Sequence, residues 1–123
     1  MLNIISSSRY KIDRASIQKQ VEQILSSYPI PPQSVLNIVF VGKKKMGEYS
    51  KKYKSEDVAL PVLSFSYLER HSFSEGAFQP EENVIGEIII CYPQAVLLAA
   101  EREKKVDYII AFLVEHGVKN ILQ

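Results

Sequence analysis

The residues best suited to chemistry in this 123-residue chain lie at its end, Asp107 to Gln123, DYIIAFLVEHGVKNILQ. Ile109, Ile110, Leu113, Val114 and Gly117 recur at the three- and four-residue steps of one apolar helical face, which predicts a helix presenting His116 at its C-terminal end. The next residue on the same side of a helix stands four positions on, which is why two histidines at that spacing can grip one metal ion. Here that position is Asn120. An imidazole titrates close to working pH, so His116 suits a general acid or base, a role worth ~10²–10⁴ in rate. The simpler reading is a histidine that only caps a helix end.

The elements that must position this stretch follow from hydrophobic spacing. Leu2 to Ile5 is a short apolar strand, followed by a Ser-rich turn. Asp13 is placed to cap a helix with Ile17, Val21, Ile24 and Leu25 on one side and charged and amide residues on the other. Pro29, Pro31 and Pro32 end it. Ser34 to Val41, SVLNIVFV, is β-branched and nearly continuous in apolar residues, which predicts a strand covered on both faces. Gly42 turns the chain, and Lys43, Lys44 and Lys45 lead into a helix through Met46, Tyr49 and Tyr53. Three lysines at a helix N-terminus oppose its dipole, so the helix starts later, a bound anion such as phosphate offsets the cost, or the run is simply solvated.

Val62 to Tyr67 reads as a strand opened by Pro61, and Val84 to Tyr92, VIGEIIICY, as another buried strand. Between them, Leu68 to Asn83 is polar and aromatic without a period, which predicts a long loop of the functional or mobile kind, with an incidental His71. Pro93 opens a helix, and Lys104 to Val106 break the pattern before the last one. The expected architecture is α/β: a single twisted, mixed four-stranded sheet packed by helices, with an antiparallel hairpin joining the third and fourth strands.

At 46% hydrophobic and 24% charged, residues 1–123 fit one globular domain with a sufficient core. No apolar run approaches the ~20 residues that span a bilayer, and MLNIISSSRYK lacks the parts of a signal peptide, so the expectation is cytoplasmic, with no membrane partner. The single Cys91 excludes an internal disulfide and a cysteine-rich zinc site, and reads as a small buried residue at a strand end. The net charge of +1 hides a split: 10 basic and 3 acidic residues up to Lys54, then 5 and 11. Either the first half builds a surface facing a polyanion, or the two halves interleave and their charges pair.

Three pieces, in order, resemble the YbeY family of ribosomal RNA maturation factors, single-strand-specific endoribonucleases of bacteria. Tyr53-Lys54 followed by Val62-Leu63-Ser64-Phe65 is similar to the family's YRGKDxPTDVLSF. Gly86-Glu87-Ile88-Ile89-Ile90-Cys91 is similar to its GDIVIS strand, and His116-Gly117 to the start of its HGxLHLxGxDH metal motif. The resemblance covers nearly the whole chain in element order and implies a YbeY-like fold, and a zinc ion held by three histidines. Here His116 fits the first of them, Asn120 stands at the second, and the third would fall three residues beyond Gln123. An amide oxygen is a weak zinc ligand and one imidazole cannot fix a tetrahedral ion, so the expectation is no bound cofactor and no metal-binding residues. Lys54 replaces the family's arginine and loses its planar fork, and Leu60-Pro61 replaces its Thr-Asp.

RNA supplies its own nucleophile, the 2′-hydroxyl beside each phosphate, so it can be cut without a metal. His116 is the expected acid or base and Lys54 the cation that steadies phosphate charge. Lys43, Lys44 and Lys45 draw in the strand, and Tyr53 or Tyr49 stacks a base unless both rings are core. Three functions stay open: a metal-independent YbeY-like endoribonuclease acting on single-stranded or ribosomal RNA; an inactive assembly factor binding ribosomal RNA or small-subunit ribosomal proteins; and a scaffold for protein partners alone.

Overall fold

The computed structural model describes residues 2–31, 33–68 and 83–123. The chain runs β1 (Leu2–Ile5), α1 (Arg14–Leu25), β2 (Val35–Val41), α2 (Lys43–Lys54), β3 (Val62–Ser66), β4 (Val84–Cys91), α3 (Tyr92–Arg102) and α4 (Val106–Leu122). The expected α/β architecture is present: four strands form one sheet in the order β1-β2-β4-β3. β1, β2 and β4 are parallel, and β3 pairs antiparallel with β4 as the edge strand, the hairpin that the sequence predicts. The expected long loop and His71 lie outside the described residues, apart from the loop's two ends.

Local chemistry explains most boundaries. The carboxylate of Asp13 accepts a hydrogen bond from the Ser16 backbone N–H at 3.1 Å, satisfying one of the donors that open every helix. Tyr92 and Pro93 open α3, where proline's missing N–H is no loss. The helix carrying the lysines begins at Lys43 itself, which removes the expectation of a later start. Gly42 precedes it with no side-chain cap, Lys43, Lys44 and Lys45 are exposed to water, and Lys51, Lys52 and Lys54 complement the dipole in the last turn.

Alternate residues of a strand face opposite ways, and the sheet therefore separates two unequal cores. On one face Leu36, Ile38, Phe40, Ile88 and Ile90 pack with α1, α3 and α4. On the other, Leu63, Ile89 and Cys91 pack with Met46 of α2, flanked by Tyr49 and Phe65. The expectation that β2 is covered on both faces is corrected: Leu36, Ile38 and Phe40 are buried, but Val35, Asn37, Val39 and Val41 are half-buried. The second face is roofed by one helix, packed where the strands end at Val41, Ile89 and Cys91. A run of valines looks alike whether its second face is roofed or half-open. Cys91 sits buried at its strand end, and burial pushes its thiol pKa up.

Candidate functional site

Helix α4 buries Ile109, Ile110, Leu113, Val114, Gly117, Val118 and Ile121 against the sheet and its neighbouring helices. Gly117 permits the close approach: a Cβ there would stand 2.9 Å from the Ile88 side chain. With that face committed to the core, Glu115, His116, Lys119 and Asn120 are left exposed. The helix continues to Leu122, so His116 lies within it and is not a cap, correcting the expected position at the end. The Asn120 amide nitrogen is 3.3 Å from His116 Nε2, the contact that i,i+4 spacing makes available. One step round the helix, Lys119 and Glu115 form an ion pair at 2.8 Å; that hydrogen bond, then the carboxylate charge, raises the lysine's pKa. Exposed pairs of this kind add little stability.

Whether these residues fit a zinc ion is decided by their donors. Among the described residues no three of His, Cys, Asp and Glu gather where they could hold a metal. His116 offers one imidazole, and its i+4 neighbour is a neutral amide that points a nitrogen at the ring. The described residues do not fit the group.

The lysine side of the expected site lies elsewhere. Lys43, Lys44, Lys45, Lys51, Lys52 and Lys54 are exposed along α2, interrupted by a single acid, Glu48. Because α2 and α4 sit on opposite faces of the sheet, the structure gathers Lys43, Lys44, Lys45, Tyr53 and Lys54 on one element and does not place His116 among them. Both elements do abut the edge strand β3. The Tyr53 ring meets Phe65 edge-on at 5.2 Å, and Ser66 Oγ donates to the carbonyl of Ile121 at 2.9 Å. Tyr53 is half-buried, with Lys52 5.2 Å above its ring, and Tyr49 belongs to the second core, so packing claims much of both rings.

Among the described residues no ion pair within 4.0 Å joins the two halves. Among the described residues the one ion pair within 4.0 Å is Lys119 with Glu115, inside the acidic half. The α2 lysines remain a basic stripe.

One polar feature escaped the sequence reading. Asn3 donates to the Asn37 side chain at 3.0 Å, Asn37 donates to Glu87 at 3.3 Å, and the Tyr67 hydroxyl donates to Glu87 at 3.4 Å. Register places Asn3, Asn37 and Glu87 side by side on β1, β2 and β4, forming a polar row on the α2 side of the sheet. Asn37, interrupting an apolar strand, was the available signal. An open cleft of about 320 Å³ lies at the end of α4, lined among the described residues by Ser66, Leu68, Ile121, Leu122 and Gln123. None of the described helices is long and apolar enough to cross a membrane.

Comparison with known proteins gives a concordant result. The family model described as Endoribonuclease YbeY matches residues 3–122. A relative of that name from Dehalococcoides mccartyi is 33% identical over 129 residues, covering 98% of this chain and 75% of its own length. Another, from Phytoplasma australiense, is 30% identical over 118 residues, covering 94% and 74%. The solution structure of a Thermotoga maritima protein shares the fold at a TM-score of 0.64 and 19% identity, over 100% of this chain and 73% of that one.

Proposed function

This chain belongs to the YbeY endoribonuclease family, and from that premise we propose that it cuts single-stranded RNA during ribosomal RNA maturation, in the cytoplasm and without a resident metal ion. The observation that carries the reading is the exposed imidazole of His116 on a helix whose opposite side is entirely buried. Such a side chain has an immobile base and free access to a substrate. His116 removes the proton of a ribose 2′-hydroxyl; the oxygen attacks the neighbouring phosphorus, and the 5′-oxygen leaves, taking a proton back from the imidazolium. The product strand ends in a 2′,3′-cyclic phosphate.

The basic stripe of α2 supplies affinity by releasing counterions from the phosphates. Lys54 belongs to this stripe, and a strand touching both Lys54 and His116 passes round the β3 edge that α2 and α4 share. In that reading Lys54 holds the phosphate backbone on the α2 side of that edge, across the sheet from the cut. Replacing Lys43, Lys44 and Lys45 together by alanine is expected to flatten the salt dependence of RNA binding by about 2 units of log K per log salt, at ~0.7 for each single-strand phosphate contact. Fluorescence anisotropy across a salt series measures it, and an unchanged slope would remove these lysines from the interface.

The departure at Asn120 also favours a second reading, an assembly factor that binds ribosomal RNA or a small-subunit ribosomal protein without cutting. One assay separates the two: purified protein with end-labelled single-stranded RNA in excess chelator. Cyclic-phosphate ends formed in chelator support the metal-free nuclease. Cleavage seen only after zinc is added would overturn metal independence, and salt-sensitive binding without cleavage would leave the assembly factor. No binding at low salt would leave only a scaffold for proteins.

A further inference from the structure

We infer that Tyr108 and Phe112 form a stacking platform for single-stranded RNA, with one base lying in the notch between their rings and the strand continuing along α4 to His116. The inference rests on the RNA-binding part of the function proposed above and not on cleavage.

Among the described residues these are the two exposed aromatic rings, Tyr108 at 57% and Phe112 at 51%; every other described ring is buried or half-buried. Neither serves the core, which α4 fills from its other side with Ile109, Ile110, Leu113 and Val114. His116 follows Phe112 by the same four-residue step that separates Phe112 from Tyr108, and it too is exposed. A strand that comes round the β3 edge to His116 therefore runs on to Phe112 and Tyr108. The stacking expected of Tyr49 or Tyr53, whose rings are largely claimed by packing, falls to this pair.

Spacing and surroundings select the occupant. Residues four apart on a helix stand about 6 Å apart along its axis. Neighbouring bases of a strand lie about 3.4 Å apart, so a base meeting one ring on each face needs them about 7 Å apart. A notch of about 160 Å³ is lined by Tyr108, Phe112, Gln20, Ala111 and Glu115. The centre of a protein–protein interface is depleted of charge. Here Glu115 lines the notch itself, and Lys104 Nζ stands 5.0 Å from the centre of the Tyr108 ring. A nucleotide, flat at its base and wet at its phosphate, suits both. Lys104, Lys105 and Lys119 nearly cancel Asp107 and Glu115 on this side, so stacking supplies the affinity gained here and the α2 lysines supply the salt-dependent part.

The test uses the full chain and 2′-O-methyl RNA of mixed sequence, which lacks the nucleophile and stays whole. By fluorescence anisotropy, Tyr108→Ala and Phe112→Ala are each expected to weaken binding about 10-fold, the worth of one stacked base, with the salt slope unchanged. Both rings are exposed, so neither variant loses core. The chain has no tryptophan, so Phe112→Trp carries a single indole, whose fluorescence should be quenched by this RNA and not by an abasic strand of equal length. Unchanged affinity in either alanine variant, or equal quenching by the abasic strand, would overturn the inference and leave the rings to a protein partner. Weakened binding in a protein that cuts no RNA in chelator would keep the platform and remove the nuclease. Cleavage in chelator with affinity unchanged in both variants would do the reverse.

Discussion

Alanine in place of His116 is expected to slow cleavage of single-stranded RNA about 10²–10⁴-fold, the usual worth of a general acid or base. The loss should appear in kcat, because one exposed ring contributes little to holding the phosphate backbone beside the lysines of α2, and RNA affinity should stay within a factor of two. Stability gives the control. The ring is exposed and alanine is the better helix former, so the melting temperature should not fall, and unfolding cannot account for a lost rate. Steady-state kinetics in chelator, beside a thermal melt of the same samples, reads both. Cleavage undiminished by the substitution would take His116 out of the mechanism.

Gly86→Ala should destabilise the fold by about 3 kcal/mol, at the upper end of overpacking costs. A Cβ at this position of β4 would lie 2.7 Å from the backbone carbonyl oxygen of Phe65 and 2.7 Å and 2.9 Å from two carbons of Ile121. The carbonyl belongs to the β3–β4 hairpin and cannot withdraw without opening the pairing of Ser66 with Gly86. Ile121 is buried at 2% exposure and has little room to move. Gly117→Ala is the instructive contrast. Its Cβ would meet only the side chain of Ile88, at 2.9–3.0 Å, and a side chain can yield. Alanine there also recovers about 1 kcal/mol of helix propensity, so the net change should be near 1 kcal/mol or less. Chemical denaturation of both variants decides the matter. Equal costs at the two glycines would mean that backbone rigidity is not what distinguishes them.

Much of the molecule was legible one element at a time. The 3.6-residue period of Ile109 to Ile121 announced α4, Asp13 announced the start of α1, and the β-branched runs announced β2 and β4. The motif pieces at Tyr53, Gly86 and His116 pointed to the family whose model spans residues 3–122. Three corrections came from the ends and faces of elements, one of them the place of His116 within α4 and not at its end. α2 begins at its first lysine because solvated ammonium groups tolerate an unfavourable dipole that a simple capping rule forbids. β2 is roofed on its second face only where α2 reaches it.

The sequence by itself determined which residues share a side of each helix or strand, since that follows from the backbone repeat alone. It therefore set His116 beside Asn120 and gathered six lysines on α2. Only the tertiary structure decided on which face of the sheet each helix lands, and so put the lysines and the imidazole on opposite faces of the sheet. Helix placement is fixed by how two faces of one sheet are filled, by contacts such as Ile88 under Gly117 and Ile89 with Cys91 near Met46. Those partners are far apart in the chain, and no local period carries that information.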